Sequence, residues 1–234
     1  MSYGIKYRGG FTSPLRDKLR YEVYIMERGY TGEERELPLT GDRVVITQGA
    51  VGDDELKPFK PSTAQLTILC REDDNPYISL YSLDPLRYKV LISECRNVNG
   101  AEMCIVRWTG FISTGLYSQP NARAPYKVEI ECNDGLEILK NTTYAKPDGT
   151  RFKDTLTVRE LFDRLLDPLG QSLELWDYFP IDIDQKENTF DLVTIPSDAI
   201  YGAVSMSDGE LPSYYDVFES ILVNFGLQAF QRYG

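Results

Sequence analysis

The stretch Trp108-Thr109-Gly110-Phe111-Ile112, then after a short irregular gap Pro125-Tyr126-Lys127-Val128-Glu129-Ile130-Glu131-Cys132 and Asp134-Gly135-Leu136-Glu137-Ile138-Leu139-Lys140, decides the fold class. It reads as a strand ending on a glycine bend, a clean alternating strand and a capped helical turn. Tyr126, Val128, Ile130 and Cys132 alternate with Lys127, Glu129 and Glu131, which is the period of a strand with one buried face. Asp134 stands as an N-cap with Glu137 three residues on, and Leu136 and Leu139 lie one helical turn apart.

The same period recurs upstream. Leu19, Tyr21, Val23 and Ile25 alternate with Arg20, Glu22 and Tyr24, and Ala64, Leu66, Ile68 and Cys70 alternate with Gln65 and Thr67. Further strands are expected around 44–48, 88–95 and 103–112. Strands with no long helix between them predict an antiparallel sheet closed into a barrel or sandwich over residues 1–145. Its expected core is Leu66, Ile68, Val106, Trp108, Val128 and Ile130.

A two-residue type I′ turn at Asn99-Gly100 would set Cys95 against Cys104 and Leu91 against Trp108. One hairpin face then carries Leu91, Cys95, Cys104, Val106 and Trp108, the other Val90, Ile92, Met103 and Ile105. A strand pair apolar on both sides packs either inside its own domain or on a neighbouring subunit, which makes Val90, Ile92, Met103 and Ile105 the candidate subunit interface. Facing Cys95 and Cys104 permit a cross-strand disulfide. Two reduced core thiols are the other reading and the favoured one.

Beyond residue 150 the texture turns helical. Thr157 and Glu160 form a capping box, Leu156 and Leu161 a staple, and Leu161, Phe162, Leu165, Leu166 and Leu169 a stripe that stops at Pro168 and Gly170. Ser213, Asp216, the stripe Val217, Phe218, Ile221, Leu222 and Phe225, and Gly226 repeat the plan at the same interval. Each helix feeds a strand candidate, 172–175 and 227–233. Two capped amphipathic helices look alike for generic reasons; a structural duplication is the sharper reading. The chain stops in strand-like sequence at Gln231-Arg232-Tyr233-Gly234, as the N-terminal part of a longer polypeptide would.

Composition excludes much chemistry. The 234 residues contain no histidine, which removes Ser-His-Asp and Cys-His catalysis and His-ligated zinc. The four cysteines include no C-x-x-C pair, and no glycine motif for phosphate is present. Apolar runs are too short to span a membrane, and the N-terminus has no apolar signal core. A net charge of −11 opposes tight nucleic-acid binding. The acidic groups Asp53-Asp54-Glu55 and Glu72-Asp73-Asp74-Asn75 read as solvated turns. Asp182 and Asp184 share one face of a strand and are the carboxylate pair nearest to glycosidase spacing. No catalytic, cofactor or metal residue is assigned.

The "W-x-G-F-I" strand and "D-G-L-x-x-L-K" helix resemble the tail hub proteins of double-stranded DNA phages, the baseplate-hub and tail-tip proteins beneath the tail tube. That resemblance implies a mainly β chain with an α+β portion: an antiparallel tube-like β-barrel over 1–145, a smaller α/β domain over 146–212, and the start of a further helix–strand unit over 213–234. It further implies a virion protein assembled in the host cytoplasm. Its partners would be further copies in a trimeric ring, the tail tube or distal tail protein, and a central spike or tip protein. Two rival readings come from other classes. One is a carbohydrate- or receptor-binding module using Tyr77, Tyr81, Tyr88, Tyr117 and Tyr126. The other is a cell-wall hydrolase using Asp182 and Asp184.

Overall fold

A computed structural model describes residues 2–13, 19–49, 57–72, 75–98, 100–114, 121–170, 189–204 and 210–231. The chain is mainly β, 44 % strand against 24 % helix, and forms two compact units. One comprises residues 1–55, 60–135 and 230–234, the other 56–59 and 136–229.

In chain order the strands and helix up to residue 133 are β1 (Tyr3–Thr12), β2 (Arg20–Arg28), β3 (Arg35–Glu36), β4 (Leu39–Gln48), β5 (Phe59–Lys60), β6 (Ser62–Cys70), α1 (Pro76–Ser79), β7 (Tyr88–Val98), β8 (Ala101–Ile112) and β9 (Tyr126–Asn133). Eight strands make one curled half-barrel sheet in the order β3-β1-β2-β7-β8-β9-β6-β4. The ladders are antiparallel except the two-residue β1–β3 pair. The stretch after β3 crosses close to β1 and β6, where Leu37 N–H donates to Arg8 O (2.8 Å) and Leu69 N–H to Pro38 O (2.8 Å). Gly9 permits this crossing, because a Cβ there would lie 2.6 Å from Leu37 O.

The alternation of β9 places Val128, Ile130 and Cys132 in the core and Lys127, Glu129 and Glu131 in solvent. Leu66, Ile68 and Trp108 join them as expected, whereas Val106 is only half-buried. The strand β8 does not end at Gly110 but runs on to Ile112. Glycine is required there by proximity: a Cβ would lie 2.2 Å from Asn133 O and 2.3 Å from the Trp108 ring. Asp134 lies one position too early to cap α2 (Leu136–Lys140). Its Oδ2 accepts instead from Ser62 N–H (2.6 Å) and Ser62 Oγ–H (3.3 Å).

The remaining elements are β10 (Thr155–Thr157), α3 (Val158–Leu166), a 3₁₀ turn (Asp167–Leu169), α4 (Thr189–Leu192), β11 (Thr194–Pro196), α5 (Ser197–Ala203), α6 (Tyr214–Phe225) and β12 (Ala229–Phe230). Both expected capping boxes are formed, and both helical segments close on a left-handed glycine, Gly170 (φ 56°) and Gly226 (φ 65°). Each cap also carries a strand-like rung, Thr157 to Thr194 and Ser213 to Thr143. The strand candidate at 172–175 falls outside the described residues. That at 227–233 is represented by β12, with 232–233 outside them.

The division of the chain differs from the one expected. The boundary falls at 135/136, and residues 213–229 belong with 136–204 instead of starting a separate unit. Aromatic packing is the reason: Phe218 of α6 meets Phe162 (5.4 Å) and Phe59 (4.9 Å), and Tyr214 meets Tyr144 (5.1 Å). Tyr144 is fully buried and also contacts Phe152 and Tyr201.

Candidate assembly surface

The hairpin β7–β8 extends past its neighbours. The β2 ladder on β7 runs from Glu27–Tyr88 to Arg20–Cys95, and β9 meets β8 at Phe111 and Ile112. From Arg96 to Ile105, among the described residues, the two strands pair with each other alone through Arg96–Met103, Asn97–Glu102 and Val98–Ala101. Every described residue of this arm is exposed, including Met103 (54 %), Ile105 (44 %) and Val98 (43 %).

At the tip Gly100 has φ +85°, the left-handed value its turn position needs, and its N–H is capped by Asn97 Oδ1 (2.9 Å). Asn99 lies outside the described residues. At the base Cys95 faces Cys104 as the turn requires. The pair is bonded, with Cα atoms 4.0 Å apart, which replaces the expected reduced thiols. Directly opposed cross-strand residues point to the same sheet face, which brings their two sulfurs together.

The expected register fails farther down. A bulge leaves Arg107 without an opposite residue, so Trp108 faces Ile92 and Leu91 faces Thr109. Trp108 thereby moves to the face of Val90 and Ile92, into the core. The bulge also delivers Arg107 to Glu94. That carboxylate is buried (4 % exposed) and accepts from Arg107 Nε (3.0 Å), Arg96 Nε (2.6 Å) and the Tyr21 hydroxyl (3.3 Å). The Arg107 hydrogen bond, against the opposing cost of burial and with help from Arg96, holds Glu94 at a pKa of about 2. An ionised clamp thus fixes the arm's root.

Of the four candidate interface residues, Val90 and Ile92 are fully buried in this chain's own core and leave the candidate surface. Met103 and Ile105 remain exposed on it. The sequence reading missed Glu94, Arg96, Arg107 and Tyr21. The available signal was Glu94 and Arg96 two apart on one strand face, a charged pair that alternation alone marks as solvated.

Other candidates separate on inspection. Tyr77 and Tyr88 are buried, Tyr126 is half-buried, Tyr81 is exposed, and Tyr117 lies outside the described residues. Asp53, Asp54, Glu55, Asp73, Asp74, Asp182 and Asp184 also lie outside them. A cleft of about 410 Å³ is lined by Arg8, Glu22, Leu37, Leu39, Leu69 and Arg71 among others. Its Arg8 guanidinium is bonded to Glu22 (2.9 and 3.1 Å), which also receives Arg20 and the Tyr24 hydroxyl. Among the described residues no helix is long and apolar enough to cross a membrane, and no cluster of three acidic or cysteine ligands is placed to hold a metal ion.

The chain matches no protein-family model and no curated protein.

Proposed function

We propose that this chain is a structural component of a phage or prophage tail: a hub or tail-tip protein whose copies form a ring that joins the tail tube to the distal tip and lets DNA pass. It has no catalytic role in this reading, and a trimer is the expected ring, by the resemblance of its strand–strand–helix wording to tail hubs. The half-barrel sheet is taken as one subunit's share of a tube wall. The observation that carries the reading is the exposed arm from Arg96 to Ile105, whose apolar side chains Val98, Met103 and Ile105 find no cover within the chain's described residues. Cyclic assembly covers such a surface by giving every copy the same neighbour. The net charge of −11 supports a lumen that repels phosphate.

The test is the chain's place in the particle. Cryo-electron microscopy of particles carrying it should find a ring of copies on the tail axis, with the arm at the contact between them. Met103→Asp with Ile105→Thr should abolish the ring while leaving the unfolding free energy of the free chain, from urea titration, within about 0.5 kcal/mol of wild type, since both positions are exposed and neither change sets a like charge opposite its partner, Arg96 or Glu94. A chain located on a peripheral fibre would transfer the reading to receptor binding.

A further inference from the structure

We propose that Cys95–Cys104 is a thiol–disulfide switch that sets the order of the arm, closed under oxidising conditions and opened by a dithiol reductant. The proposal regulates the same surface and rests on the reading of the arm as the assembly site. Its basis is placement. Cys95 is buried on the last rung shared with β2, opposite Arg20, while Cys104 is exposed on the partner strand. Everything described beyond the pair is a solvent-exposed two-stranded hairpin of three rungs. Such a hairpin is marginal in water without a third strand or an apolar face to pack on. The covalent link stands where packing ends.

The chemistry is thiol exchange. A thiolate of the dithiol attacks the accessible Cys104 sulfur, the Sγ–Sγ bond breaks, and Cys95 leaves as a thiolate that takes up a proton. The second thiol of the reductant then attacks the mixed disulfide and releases Cys104 as a thiol. Two electrons and two protons pass to the protein, and the dithiol leaves as a disulfide. Cys70 and Cys132 are free and buried, so the reductant's target is the Cys95–Cys104 bond, approached from the exposed Cys104 side.

Hydrogen exchange of the free 234-residue chain, oxidised and after dithiothreitol, tests the switch. Amides of 96–98 and 100–105 should exchange at least about tenfold faster after reduction, with those of β2 and β6 unchanged. Cys104→Ser should show the same acceleration without reductant. Equal arm rates in the two states would overturn the proposal, as would four titratable thiols in chain purified without reductant under denaturing conditions. The exchange readout needs no ring, so failure here is distinct from failure to find a ring in the particle.

Discussion

Trp108 sits where three residues with different requirements meet. Its ring is fully buried, its Nε1–H donates to Ser62 Oγ (3.0 Å), and its six-membered edge lies where a Gly110 side chain would be. Trp108→Ala should therefore cost about 3–5 kcal/mol, from lost burial and an unfilled cavity. Gly110→Ala should cost about 1–3 kcal/mol by overpacking, since Asn133 O cannot yield without moving β9. Urea denaturation of the full chain checks both. Glu94 makes a pH prediction. Its folded pKa of about 2 lies below the ordinary 4.5, so its contribution is present above pH 4.5 and is lost as pH falls toward 2. Stability measured across that range should fall, and Glu94→Gln should narrow its gap to wild type at the acid end. At this scale the sequence marked Trp108 and the β9 core plainly, because alternation reports burial. It could not mark Glu94, because a carboxylate neutralised by Arg107 across a bulge has the same letters as a solvated one.

Among the elements, the two capped helices were the most legible, since cap, stripe and closing glycine are all local. Thr157→Ala and Ser213→Ala should each cost about 1 kcal/mol, because each hydroxyl accepts from a first-turn amide (Glu160 N, 3.2 Å; Asp216 N, 3.1 Å). Thermal unfolding of the two single variants checks this. β1 escaped notice. Its ladder with β2 shifts register between Ile5 and Tyr7, which interrupts the period, and Gly4, Gly9 and Gly10 lower its strand signal. The β7–β8 hairpin shows the same limit. The turn dictates pairing from Val98–Ala101 to Ser93–Val106, and one inserted residue then moves Trp108 to the opposite face. Local spacing specifies a register only until the next bulge.

For the whole molecule, the β-rich first part and helical second part were visible as a change of period, but their boundary was not. It depends on aromatic contacts such as Phe59–Phe218, made between residues far apart in sequence. The first unit is also discontinuous. Gln231 Nε2–H donates to Thr109 O (2.8 Å) and its Oε1 accepts from Ser62 Oγ (3.1 Å), beside Trp108. Gln231→Ala should cost about 1 kcal/mol, read from the urea midpoint, since it removes the amide that serves both groups. This bridge has a consequence for biosynthesis. Thr109 and Gln231 are 122 residues apart, and at about 5–20 residues per second a ribosome adds the second roughly 6–24 s after the first. The nascent sheet can gather Trp108, Ser62 and Asp134 early, but its last polar partner is translated only after the whole of the second unit.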